Sequence, residues 1–384
     1  MAFGKKTKPE NGKECFPVPQ SYKNTHPYSG LGNIYPSPKT NFKLYSQLRE
    51  AVPVIDAAIM KLVRLIGTFS VECFDKRAQN ALDSFLQNIR VGSSSAGISA
   101  FISVFFEQLL TYGTAVGEMV ADHSGIIALY NADLNALDLS LGQNPLETVV
   151  SVDDGFGTYT PIKYPDLLLV STLNPAPDSA WGISVLKGLP FISDILLKIY
   201  NTIGTNWERI GNIRYAVTYK PQSDSADRTL SRQRAQEVAE QWGKTMQPSG
   251  PVKDFVAVGD VNIRVIGADN QIIDSEVPVR QMLEQIIAKL GMPPFLLGLN
   301  WSSTERMSSQ QADILTSELE YYRDILNQVI RKICKTFLAF KGFDCGFEIQ
   351  WDYVTLQDSL QQAQADYYGA QAKSISEKLS QEEK

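Results

Sequence analysis

Residues 276–340 constrain this chain more than any other stretch, because two apolar-striped helices there flank a break that neither can cross. Val279, Met282, Leu283, Ile286, Ile287 and Leu290 recur at three- and four-residue spacing, which predicts a helix with one apolar side. Gly291 follows the last of them, and Met292-Pro293-Pro294 cannot continue the helix, so the chain must turn. Beyond Gly298 lies a polar loop, Asn300-Trp301-Ser302-Ser303-Thr304-Glu305-Arg306. A second stripe then runs from Ile314, Leu315 and Leu319 through Tyr322, Ile325, Leu326, Val329, Ile330 and Ile333 to Phe337 and Leu338. A helix from Ser308 to Phe340 would be roughly 48 Å long at ~1.5 Å per residue, the length of a strut rather than of an ordinary core helix. Nothing in the loop between the helices has catalytic character.

The 384 residues allow one large domain or two to three smaller ones, and 43% hydrophobic with 20% charged residues is ordinary globular composition. A net charge of −6 excludes a protein that coats nucleic acid with a basic face, though a local patch could still touch it. The charge is uneven. Residues 1–50 carry eight Lys and Arg against three acidic residues, whereas residues 100–180 carry ten acidic residues against Lys163 alone. The plain interpretation is a basic tail and a solvated acidic face; the sharper one is complementary subunit surfaces, or one region turned toward DNA and another away. Cys15, Cys73, Cys334 and Cys345 are too scattered for a disulfide framework and lack zinc-site spacing, so reduced thiols are expected. The basic N-terminus has no apolar run behind it, so no secretory signal is expected. The apolar segments 51–71 and 98–117 are interrupted by charges, so no membrane span is expected either.

Residues 1–44 read as an arm that orders against a neighbour. Helices are expected from Leu44, restarting at Pro53, then over 79–90 and 98–112. Short strands follow at 115–121, 126–130, 137–139, 149–152, 158–162 and 167–171, with turn chemistry at Asp122-His123-Ser124-Gly125 and Asp153-Asp154-Gly155. Pro190 opens a helix striped by Ile192, Ile195, Leu196, Ile199, Ile203, Trp207 and Ile210. Residues 213–275 form a small inserted unit: a strand at 213–219, a charged helix at 231–242, and a strand pair at 255–258 and 261–265. Residues 347–353 alternate like a strand, and 359–384 read as a helix with few large apolar residues. The class is α+β.

Site signatures are missing. Gly4-Lys5-Lys6-Thr7 lacks the upstream glycine of a phosphate loop, and Gly92–Gly97 has Ala96 where a nucleophile elbow needs glycine. His123 has Asp122 beside it and Glu118 nearby, yet a turn histidine is more simply a solvated one. No catalytic constellation, metal site or cofactor site is expected. Surfaces remain. Arg228, Arg232, Arg234 and Lys244 could meet phosphate or an acidic partner, or be a solvated face balanced by Asp227, Glu237 and Glu240. Trp301, among small polar residues, fits either a subunit interface or a base contact.

In their order, four stretches resemble the portal proteins of tailed bacteriophages and gene-transfer particles. They are the helix from Leu48 to Ile66; Leu109-Leu110-Thr111-Tyr112-Gly113-Thr114-Ala115 with the hairpin turn after it; Trp181-Gly182-Ile183-Ser184-Val185-Leu186; and Ile287 to Pro294 with Leu296-Leu297-Gly298. Thr114 stands where that family commonly has asparagine. The resemblance implies a portal fold: wing at 45–180 and 308–358, stem helices at 181–212 and 276–292, clip at 213–275, tunnel-loop region at 293–307, and a reduced crown at 359–384. It further implies a homo-oligomeric ring, usually a dodecamer, at one capsid vertex of the virion, assembled in the host bacterial cytoplasm. Double-stranded DNA would be packaged and ejected through the channel, past Asn300 to Arg306. The major capsid protein would surround the ring, and the terminase large subunit and head–tail adaptor would dock on the clip, at Arg228, Arg232, Arg234 and Lys244. The alternative is a capsid or baseplate component that does not contact DNA.

Overall fold

The computed structural model describes residues 38–144, 147–153, 158–211, 214–219, 261–266, 275–299 and 305–352, with scattered helical positions between 233 and 240. Residues 1–37 lie outside the described set. Helix α1 (Pro38–Ala51) starts before the expected Leu44, and Phe42 within it is buried against Tyr112 and Trp181, so the arm ends earlier than residue 44. Helix α2 (Pro53–Leu65) places proline in its first turn, where the missing N–H costs nothing. Helix α3 (Lys76–Asn88) is capped by Asp75, whose carboxylate accepts from the Arg77 N–H at 2.8 Å.

Helix α4 (Ile98–Tyr112) is the centre of the core. Phe101, Phe105, Phe106, Leu109 and Leu110 are wholly buried, and a helix apolar on most sides has to be covered on most sides. Strands β4 (Thr114–Asp122), β5 (Gly125–Asn131) and β9 (Leu168–Thr172), with the two-residue strands β2 (Arg90–Val91) and β3 (Ser95–Ala96), make a sheet ordered β3-β2-β5-β4-β9. A second sheet, β6-β7-β8 (Leu137–Leu141, Thr148–Asp153 and Tyr159–Pro161), covers a smaller core of Val116, Leu134, Leu139, Val150 and Trp181. The expected strands are therefore present, and the Asp122–Gly125 turn joins β4 to β5.

Helices α5 (Leu189–Gly211) and α6 (Glu276–Leu290) pack along each other. Strand β10 (Arg214–Tyr219) follows α5, and β11 (Val261–Ile266) pairs with it antiparallel. The expected partner segment 255–258 lies outside the described residues. The long helix, α7 (Glu305–Phe340), has 36 residues, about 54 Å at ~1.5 Å per residue. Its buried side (Leu315, Leu319, Leu326, Ile330, Ile333, Phe337) crosses the main core, where Phe337 stacks on Phe85 at 4.0 Å. Ile314, expected in that stripe, is instead 69% exposed.

Besides the two-residue strands β2 and β3, which fall where a helix end and a loop were expected, one longer strand escaped the sequence pattern. Strand β1 (Phe69–Cys73) pairs antiparallel with β12 (Phe347–Trp351), fastening the start of the body to its end. Arg323 locks the fastening from beneath. It is 4% exposed, and its guanidinium donates to Ile66 O at 2.9 Å and Asp352 O at 2.8 Å while standing 5.1 Å over the Trp351 ring. Ile66 O belongs to the C-terminal end of α2, where a cation is also favoured by the helix dipole.

Candidate functional site

The root of the α5/α6 pair is where two of the sequence motifs meet. Residues 109–115 end α4 and begin β4; residues 181–186 lead into α5. Gly113 closes α4 at φ 79°, a left-handed position that favours glycine. Its carbonyl accepts the Leu173 N–H at 2.7 Å, and Leu173 O accepts the Ile183 N–H at 2.7 Å. The Gly182 N–H reaches Thr114 Oγ1 at 2.9 Å, and Ser184 Oγ donates to Thr111 O at 2.6 Å while accepting the Leu186 N–H. There is no space left for side chains. A Cβ on Gly182 would stand 1.9 Å from Gly113 O, and one on Gly113 would stand 2.4 Å from the Ile183 carbonyl carbon. Three backbones are thus clamped in direct contact, and they fix the direction in which α5 leaves the body.

Burial fades along the pair in opposite senses. Helix α5 is buried at Leu189, Ser193 and Leu196, half-buried at Ile199 and Ile203, and exposed at Tyr200 (44%) and Trp207 (64%). Helix α6 begins exposed at Val277 (56%) and ends buried at Ile286, Ile287 and Leu290. The pair therefore leaves the core at its α5 start and α6 end. Trp207, expected on the covered stripe, is uncovered. Along α6 and α5 the exposed Arg280–Glu284 and Lys198–Asp194 pairs, at 2.9 and 2.6 Å, add little to stability.

At the end of α6 the stop signal works as expected. Gly291 takes φ 63°, and the Met292 N–H reaches Ile287 O at 3.3 Å. Pro293 leads into a single 3₁₀ turn, Pro294–Leu297, which a second left-handed glycine, Gly298 at φ 74°, closes. Two stops in eight residues hold Leu299 in place, and the chain resumes as α7 at Glu305. Leu299 and Glu305 are the described residues on either side of the loop expected to line a channel. Asn300, Trp301, Ser302, Ser303 and Thr304 themselves lie outside the described residues; of Glu305 and Arg306 only the backbone is described, in the first turn of α7. Arg228, Arg232, Arg234 and Lys244 also lie outside, while Gln233, Glu237 and Glu240 near them are helical and exposed.

The histidine considered for base chemistry sits in the β4–β5 turn. Its neighbour Asp122 accepts from Ser124 N at 2.7 Å and Ser124 Oγ at 2.6 Å, bonds that hold the carboxyl below its usual range and spend it on the turn. A crevice of about 390 Å³ lies between β7, β9 and α7, lined by Thr148, Val150, Leu168, Val170 and Lys332. Lys332 Nζ donates to Leu168 O at 2.7 Å, so the lysine caps the open edge of β9. Among the described residues no group of three His, Cys, Asp or Glu is placed to hold a metal ion, and no helix is long and apolar enough to cross a membrane.

No protein-family model matches the sequence, and no curated protein matches it. Solved structures do match its fold. A chain from the neck of an empty gene transfer agent particle, computed with C6 symmetry, aligns at a TM-score of 0.64 with 14% identity, over 90% of this chain and 93% of that one. A chain from the neck of the native particle, computed with C12 symmetry, aligns at 0.62 with 13% identity, over 85% and 88%. An HK97 family phage portal protein from Corynebacterium diphtheriae aligns at 0.44 with 10% identity, over 83% and 96%, too loosely to bear on any detail. At such identities the likeness is one of fold, and it extends over nearly the whole chain. The mixed helix-and-sheet fold expected from the four motifs is the fold of the gene transfer agent chains.

Proposed function

We propose that this chain is a portal subunit, one member of a closed homo-oligomeric ring, a dodecamer, at a single capsid vertex of a phage or gene-transfer particle. Double-stranded DNA passes through the ring during packaging and ejection. The body, 38–180 with 305–352, is the wing; α5 and α6 are the stem; residues 213–275 are the clip; residues 300–304 with the first turn of α7 are the tunnel loop.

The observation that carries this reading is the uncovered helix pair. A solitary subunit would leave Tyr200, Trp207 and Val277 in water along two helices whose roots are rigidly clamped. Head-to-tail packing around a ring covers such a face in every copy and closes without leaving one exposed. The fold shared with neck chains of particles computed with twelvefold and sixfold symmetry supports the same arrangement. Chemistry agrees. Each phosphate neutralised on duplex DNA adds affinity, so a conduit works best without a cationic lining. The loop Asn300–Thr304 carries no charge and the chain as a whole is acidic. On the clip, Arg228, Arg232, Arg234 and Lys244 are the docking residues for the terminase large subunit and later the head–tail adaptor; the major capsid protein holds the wing.

Imaging the purified protein tests the reading directly. Closed rings with an axial hole are expected; monomers or open filaments would overturn it. Deleting Asn300–Ser303 should leave rings intact and reduce packaged or retained DNA. Full genome content in such particles would remove the loop from the mechanism.

A further inference from the structure

We infer that Cys73 and Cys345 are a thiol pair convertible to a disulfide, so that the β1–β12 seam carries a covalent fastening that oxidation closes. The inference does not depend on the portal reading. In the ladder Cys73 stands opposite Phe347, and the Phe74 N–H donates to Gly346 O at 3.4 Å, which carries the register one residue past the strand. Cys345 is two residues from Phe347, so its side chain falls on the same face as that of Cys73, as the diagonal neighbour. The two thiols are near enough for Cys345 to raise the ionisation range of Cys73, and both are half-buried and unbridged. Diagonal neighbours have Cα atoms about 7–8 Å apart, and a disulfide spans up to about 6.8 Å, so closure requires a small inward movement. The segment that moves, Asp344-Cys345-Gly346, precedes the regular strand and is exposed at Asp344 and Gly346.

The third nearby sulfur, Cys334, is fully buried on α7 and cannot meet a dissolved reagent. Among the described residues no metal-holding group is present, which leaves thiol–disulfide chemistry for the accessible pair. The oxidant is a small-molecule disulfide such as glutathione disulfide. The Cys345 thiolate attacks one of its sulfurs, the S–S bond breaks, and one glutathione thiolate leaves with the bonding pair. The Cys73 thiolate then attacks the Cys345 sulfur of the mixed disulfide and expels the second glutathione. Two protein thiols are oxidised by two electrons, one disulfide is reduced to two thiols, and the two released protons go to the leaving thiolates. Burial, with Cys345 adjacent, pushes Cys73 up to about 11, so the second attack is slow at neutral pH and quickens in alkali.

The test uses the full chain as purified, incubated with glutathione disulfide at alkaline pH, quenched with acid and mapped by mass spectrometry without reduction. A Cys73–Cys345 linked peptide is expected, with a thermal midpoint raised by roughly 5 °C and restored by reductant. Cys73→Ser and Cys345→Ser should each abolish both effects. In the unaltered protein the crosslinking rate should rise about tenfold per pH unit below the thiol range, a measurement that needs no variant. A terminal glutathione adduct on Cys345 beside a free Cys73, a Cys73–Cys334 link, or a pH-independent rate would each overturn the proposal.

Discussion

A methyl group at position 182 has nowhere to go. The atoms it would strike, Gly113 O at 1.9 Å and Leu173 N at 2.6 Å, are backbone held by their own hydrogen bonds, so relief would mean moving three segments together. Gly182→Ala is therefore expected to cost at least about 3 kcal/mol and to show as a large fall in thermal midpoint. Gly117→Ala makes a useful contrast, because the first atom met there is the Phe101 ring at 2.6 Å, a side chain rather than backbone, and overpacking it should cost about 1–3 kcal/mol. Arg323→Ala should cost about 1–3 kcal/mol in urea unfolding, since it leaves the buried carbonyl of Ile66 without its donor and removes the tie to Asp352 O. The thiols predict a pH dependence. Burial pushes Cys334 up to about 12, with Cys73 adding to it, against 9.0 for the free group. The folded value is the higher one, so this stabilisation is complete below pH 9, where neither state ionises, and is lost as pH rises toward 12. The unfolding midpoint should fall above pH 9, and Cys334→Ala should fall less steeply.

Among the elements, the helix stops and turns were the most legible part of the sequence. Gly291 ends its helix where glycine predicts, and Asp122–Gly125 turns the hairpin it announces, because these signals are local and steric. Apolar stripes were less informative. They say which residues avoid water, not whether the same chain covers them, and Trp207 and Ile314 are members of their stripes that this chain leaves exposed. Strand β1 went unread for a related reason: Phe69–Cys73 is short, and its partner is at the other end of the body. The clamp at Gly113 and Gly182 was visible only as two separate motifs, since nothing in either one states that they touch. For the proposed stem pair of α5 and α6 the expectation is specific. Trp207→Ser should leave subunit stability within about 0.5 kcal/mol, because its side chain covers little here, yet weaken ring assembly as followed by mass photometry. Unchanged ring populations would place the subunit contact elsewhere.

For the whole molecule, the fold joins parts far apart in sequence. The main core draws on α1, α2, α4, α6 and α7. Loss of β12 should not be tolerated by the body. A chain ending at Phe340 lacks the partner of β1 and the Asp352 carbonyl that Arg323 holds, and it is expected to be insoluble or protease-sensitive when expressed. The same seam has a consequence during synthesis. A ribosome delivers β1 well before β12, so α2, β1 and α4 must wait, incompletely covered, while the segments between the two strands are still being made. Contacts so distant in sequence form late and slowly. A nascent chain thus cannot present a finished body before β12 has been made, and products truncated ahead of it are marked by an unpaired strand edge.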